Sequence, residues 1–168
     1  HEIALLFVSV ERVESPYVIG LARTGSAVAF GFTLFLIGRI ASRLARETSL
    51  LASEEAFPAW WLGLTAMLVY GTMPRQFAHA HIASLETCVA LSWVAVLAWC
   101  VRHDDQLDTP RTAAGTGFWL GLAWLTKVQG ILLVPPLVVW FLVRSGRRGI
   151  LLMGISLSVA AATFFVGW

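Results

Sequence analysis

Six stretches of the chain carry no charged residue: residues 24–38, 57–74, 87–101, 112–126, 128–143 and 149–168. Each is 15 to 20 residues long, and a helix needs about 20 residues, with roughly 17 tolerated, to cross the hydrocarbon of a bilayer. In water such runs would all have to be buried at once. Hydrophobic residues make up 58% of the chain and charged residues 13%, against about 25% charged in an ordinary soluble domain. That leaves too little polar surface to cover the apolar part. The predicted fold is therefore all-α, a polytopic transmembrane helix bundle of about six spans. Some runs reach spanning length only by drawing in a flanking polar residue, such as Arg23 or Glu86. The two runs flanking Lys127 are the shortest relative to need; they form either two short helices or one re-entrant hairpin.

The chain opens on His1, shows no signal-peptide pattern, and closes on Trp168 within an apolar run. Residues 1–168 are expected to be part of one transmembrane domain, truncated at both ends. The net charge of +2 and the scattered basic residues argue against a nucleic-acid partner. There is no internal repeat and no low-complexity segment.

Local punctuation agrees with the runs. Thr109-Pro110 reads as an N-cap followed by proline at the first helical position. Pro74 falls at a span end, where a missing N–H costs little. Pro135-Pro136 lies inside an apolar run and predicts a kink. Trp60 and Trp61 follow Phe57-Pro58 at a span edge, a position that suits an interfacial indole. Cys88 and Cys100 fall on one predicted helix, roughly 18 Å apart along its axis, beyond disulfide reach. They read as small packing residues.

Orientation follows from Lys and Arg. Alternate loops hold Arg39, Arg43 and Arg46, then Arg102 and Arg111, then Arg144, Arg147 and Arg148; the other side holds Arg12, Arg23, Arg75 and Lys127. The first set is expected on the cytoplasmic face of a plasma (inner) membrane. The periplasmic or extracellular face then carries residues 2–17, residues 71–86 and the turn Lys127-Val128-Gln129-Gly130.

That sparsely charged face holds the chemistry. Residues 73–87 place Arg75, His79, His81 and Glu86 against a membrane boundary, where ionisable groups are costly and tend to face a cavity or a partner. If the segment is one helix, His79 and Glu86 share a face two turns apart and His81 points elsewhere. Each residue also has an ordinary reading: Glu86 as a first-turn acid favoured by the helix dipole, the histidines as interfacial packing, Arg75 as a snorkelling cation. Two histidines and a glutamate form a ligand set a metal can use, but the His79–His81 spacing suits a strand better than a helix. No metal or other cofactor is predicted. Lys127, between two apolar runs, either snorkels or presents a point charge to an anionic headgroup, which lysine does well with phosphate.

In order and spacing these residues resemble the membrane domain of the C-type (GT-C) glycosyltransferases, the superfamily of the protein O-mannosyltransferases and the lipid A aminoarabinose transferase. Within it, the chain is most similar to the bacterial RgtA/B/C/D-like and dolichyl-phosphate-mannose mannosyltransferase-like group. Three pieces carry the likeness. One is Ala22-Arg23 entering a Gly-rich span that leaves through basic residues to Arg46. Another is a span ending at Pro74, then aromatic and basic residues, then the acid Glu86 opening the next helix. The third is Gly121-Leu122-Ala123-Trp124-Leu125-Thr126-Lys127, followed by Gly130 and an apolar run containing Pro135-Pro136.

The resemblance implies transfer of a sugar from a polyprenyl-phosphate carrier to an acceptor on the non-cytoplasmic face. It implies a general base from an acid of the first external loop, which would precede His1 or lie near Glu2, and cations that stabilise the departing phosphate. Glu86 takes the place of the family's second external acid, more usually Asp, as a supporting acid. His81 stands five residues before it, where Arg or His is common, and Lys127 matches the family lysine. Lys127, Arg75 and His81, with His79 beside them, are the expected phosphate-binding set. The implied partners are a polyprenyl-phosphate-linked sugar, the bilayer, and a protein, lipid or glycan acceptor. A secondary transporter and a non-catalytic membrane scaffold are the rival classes.

Overall fold

The computed structural model of the chain describes residues 16–47, 58–81, 85–106 and 108–168. The predicted external segment 2–17 lies outside them except for its last two residues. The described residues are all-α. In chain order the helices are α1 (Pro16–Glu47), α2 (Ala59–Thr72), α3 (Pro74–His81), α4 (Leu85–Arg102), α5 (Pro110–Thr126), α6 (Val134–Ser145) and α7 (Arg148–Gly167), with 3-10 turns at Asp104–Gln106 and Val128–Leu133.

Each uncharged run lies largely within one of these elements, and the punctuation explains the boundaries. Met73, held extended (φ −61°, ψ 119°) by the proline after it, ends α2, and Pro74 opens α3 at once. Thr109 (φ −95°, ψ 141°) caps α5, its hydroxyl accepting from the Thr112 N–H at 3.3 Å, with Pro110 as the first helical residue. α4 draws in Glu86 as expected. α1 outruns its uncharged core at both ends and takes in Arg23, Arg39, Arg43 and Arg46. The expected kink at Pro135-Pro136 is replaced by a different solution. The chain leaves Lys127 as a 3-10 turn, and the two prolines occupy the first turn of α6, where no helical partner for their N–H groups exists to be lost.

Two helices of the described residues, Ile19–Glu47 within α1 and Arg148–Gly167, are long and apolar enough to cross a membrane. Only 17% and 28% of their most apolar stretches are buried, so neither is the core helix of a water-soluble fold. Phe32, Phe35, Leu68, Val69, Ile150, Leu151, Phe165 and Val166 all face outward. An outer surface of this kind has the membrane-associated character that the composition predicts.

Small residues bring the helices together. On α1 and α2, a Cβ at Gly63 would lie 2.6 Å from the Gly38 carbonyl oxygen, and one at Gly38 would lie 2.6 Å from Met67 Sδ. α1 and α2 are antiparallel here, with Phe30 stacked on Tyr70 further along. On α5 and α7, Cβ atoms at Gly117 and Gly121 would lie 2.2 Å and 2.7 Å from the carbonyl oxygens of Ser156 and Ala160. The Ser156 hydroxyl donates to the Ala113 carbonyl at 2.7 Å. Ala113, Gly117 and Gly121 rise together with Ser156, Ala160 and Thr163, so α5 and α7 run parallel, seamed by residues four apart in the manner of membrane helices. α4 lies antiparallel to α5, with Ser92 beside Thr126 and Trp99 donating to the Thr112 carbonyl. The core between α4, α5, α6 and α7 is built on Val96, Leu120, Leu137, Phe141 and Leu152. Buried Thr33 and Thr116 return their hydroxyls to the carbonyl four residues back, which satisfies them without a water partner.

One end of the bundle is tied by arginines. Arg43 reaches from α1 to Glu47, to the Arg102 carbonyl at 2.8 Å and toward Asp105. Asp104 accepts from Arg144 and, at 3.2 Å, from the Trp140 indole. Its side chain is 9% exposed while that of Arg144 is 52% exposed. Asp104→Ala should therefore cost about 1.5 kcal/mol, the lower end for hydrogen bonds to a charged group. Thermal unfolding in detergent checks it; an unchanged midpoint would mean the contact is incidental.

Candidate functional site

The opposite end of the bundle carries the residues singled out from the sequence. α5 ends where Lys127 turns extended (φ −164°, ψ 138°), its N–H still donating to Ala123 O at 3.3 Å and its carbonyl accepting from Gly130 N–H at 2.8 Å. The chain turns back here, and Gly130 then packs so closely on Ala123 and Trp124 that a Cβ would stand 2.9 Å from each. This turn projects the Lys127 side chain toward the first turn of α4. There its Nζ donates to Glu86 Oε1 at 2.5 Å. The two side chains are 33% and 41% exposed, so the pair stands at the surface with solvent access.

α3 supplies the other members. α3 is described to His81 and α4 from Leu85, and the Thr87 hydroxyl reaches the His79 carbonyl, which residues eight apart on one straight helix, about 12 Å apart along its axis, could not do. His79 and Glu86 are therefore not related by a two-turn helical repeat. They approach because α3 folds back on α4, the Thr87 hydroxyl donating to the His79 carbonyl at 3.2 Å. Tyr70 at the end of α2 donates to Gln76 Oε1 at 3.1 Å and ties the base of α3. Arg75 is exposed and His79 half-buried. The His81 side chain lies outside the described residues. Among the described residues, no three of His, Cys, Asp or Glu gather as a metal would require.

The electrostatics converge on one carboxylate. Glu86 stands one residue outside the uncharged run of α4, and its carboxyl is held below the usual carboxylate range. The Lys127 hydrogen bond contributes most, then the Lys127 charge, with smaller pulls from His79 and Arg75; partial desolvation opposes them. A lowered folded-state value means that any stability from this pair is present above the ordinary carboxylate pKa. It is lost as pH falls through the lowered one. The Glu86 carboxyl carbon signal in NMR should thus titrate below the usual carboxylate range and move up in Lys127→Met. A titration indifferent to that substitution would show that the pair does not persist in solution.

The structure brings Glu86 and Lys127, 41 residues apart in sequence, into direct contact, with Arg75 and His79 within electrostatic reach. The Ser92–Thr126 hydroxyl contact at 3.1 Å, made by the residue just before Lys127, has no counterpart in the sequence reading. Serine and threonine at those positions carry no distinguishing spacing. The small-residue seam of α5 and α7 carries a spacing, Gly117-x-x-x-Gly121, that the charge-free runs alone do not use.

No family model matches the chain, and neither a curated protein nor a solved structure matches it.

Proposed function

We propose that the chain is part of a membrane-embedded glycosyltransferase that moves a sugar from a polyprenyl-phosphate carrier to an acceptor on the non-cytoplasmic face. The observation that carries this reading is the Glu86–Lys127 contact, with Arg75 and His79 around it, at the end of the bundle opposite the arginine cluster. An acid and several cations at a membrane boundary suit a reaction whose leaving group is a lipid phosphate. The acceptor hydroxyl attacks the anomeric carbon and gives its proton to a general base, the acid expected from the first external loop; the bond from that carbon to the phosphate oxygen breaks, and the negative charge left on the phosphate is met by Lys127, Arg75 and His81. Glu86 orients the sugar, the acceptor or one of the cations.

This reading takes the six uncharged runs as six spans. Lys127 meets the first turn of α4, while Arg111 and Arg144 lie toward its far end. α5 thus covers the length of α4, which favours two short spans over a re-entrant hairpin. The basic loops are cytoplasmic and the site lies outside, in a plasma (inner) membrane. A secondary transporter is the weaker reading, because the ion pairs of the described residues gather at the two ends of the bundle and not along a path between them.

The test is sugar transfer by the intact protein in membranes supplied with polyprenyl-phosphate-linked hexoses and pentoses. Glu86→Gln and Lys127→Ala should each lower transfer while leaving insertion unchanged. Wild-type transfer in both would remove this site from the reaction, and uptake of a free solute into sealed vesicles would favour a transporter.

A further inference from the structure

Lys127 of the candidate site does not stand open: its ammonium is already occupied by the carboxylate of Glu86. Arg75 and His79 act on the same carboxylate. Among the described residues, the Glu86 carboxylate thus faces the charges of Lys127 and Arg75 and the His79 imidazole. The pair is partly exposed on both sides, and such pairs contribute little and are readily exchanged. A phosphate brings oxygens that accept from an ammonium as a carboxylate does, and a phosphate monoester carries up to two negative charges against one.

We propose that Glu86 is the resident counter-ion of an anion site, holding in the unliganded chain the place on Lys127 that a phosphate-monoester oxygen takes on binding. This rests on the glycosyltransferase reading for the position of the phosphate, and it adds how the site selects among anions. To enter, an anion must displace a carboxylate. An anion with one charge gains little by the exchange, and one with two charges gains more. A polyprenyl phosphodiester carries a single charge and the polyprenyl phosphate released from it up to two. The exchange therefore favours the product form of the carrier, and Glu86 set free of Lys127 is available to accept a hydrogen bond from a sugar or acceptor hydroxyl.

The experiment measures binding of an isoprenyl phosphate, incorporated in phosphatidylcholine nanodiscs holding the full chain, with inorganic phosphate in the buffer as a second arm. Glu86→Gln removes the competing charge and keeps the shape, so it should tighten isoprenyl phosphate binding about two- to five-fold, the range expected for loss of an exposed ion pair. Lys127→Ala should weaken it, and Glu86→Gln should give no gain in the Lys127→Ala background. Weaker or unchanged binding in Glu86→Gln, with Lys127→Ala still impaired, overturns the exchange while leaving the phosphate site standing: Glu86 would then only position Lys127. Unchanged binding in Lys127→Ala overturns the phosphate site itself. Tightening for inorganic phosphate alone would assign the site to a soluble anion and overturn the carrier assignment.

If Glu86→Gln does not fold, as judged by tryptophan fluorescence and thermal unfolding, the wild-type chain supplies the same decision. Isoprenyl phosphate should move the Glu86 carboxyl titration upward as Lys127 leaves it. No movement at saturating ligand overturns the proposal.

Discussion

Gly117→Val is expected to break the α5–α7 seam and lower stability by about 3 kcal/mol, the upper end for overpacking a tight interior. The nearest atoms in the way are backbone. A Cβ at Gly117 would stand 2.2 Å from the Ser156 carbonyl oxygen and 2.9 Å from its carbon. Ser156 is in turn anchored by its hydroxyl bond to the Ala113 carbonyl, so neither helix can give without losing a buried contact. Valine is a better helix former than glycine by only a few tenths of a kcal/mol, and the clash wins. Gly154→Val on α7 is the control, because nothing lies within 4 Å of a Cβ there. That change should stay within about 0.5 kcal/mol, as surface substitutions do. Helix content followed through thermal unfolding in detergent separates the two. Equal midpoints for both variants would mean that α5 and α7 do not pack through Gly117.

The elements that could be read from the sequence are those set by local rules. Charge-free length placed each run, and Thr109-Pro110 and Met73-Pro74 placed boundaries, because capping and the proline ring act on their immediate neighbours. What escaped was the result of one element meeting another. Pro135-Pro136 reads as a kink because an uninterrupted apolar run looks like one helix. The turn that separates it from α5 depends on Gly130 packing against Ala123, a contact between residues seven apart whose geometry no periodicity reveals. Were residues 73–87 one helix, His79 and Glu86 would share a face two turns apart. The proximity has another origin, α3 folding back so that Thr87 bonds to the His79 carbonyl. Glu86 and Lys127 each read as ionisable groups at a boundary, yet nothing in the 40 residues between them announces that they touch.

That contact makes Lys127→Ala the substitution with the largest expected effect on activity. If Lys127 meets charge that grows on the phosphate as its bond to the sugar breaks, its loss should lower turnover about 10²-fold. Removing one preorganised donor to a developing anion costs 10²–10³, and the partial exposure of Lys127 places it at the lower end. The division between kcat and KM carries the argument. A lysine that held donor and transition state equally would change KM and leave kcat alone. The phosphate passes from one negative charge toward two during the step, so the interaction strengthens on the way to the transition state and the loss falls mainly on kcat. Lys127→Arg keeps the charge but replaces a compact ammonium with a planar fork, and should recover part of the rate. Steady-state kinetics with a polyprenyl-phosphate-linked sugar, at matched levels of inserted protein, decide the point. A defect confined to KM would make Lys127 an anchor for the carrier, and no defect in either constant would leave it a snorkelling cation paired to Glu86.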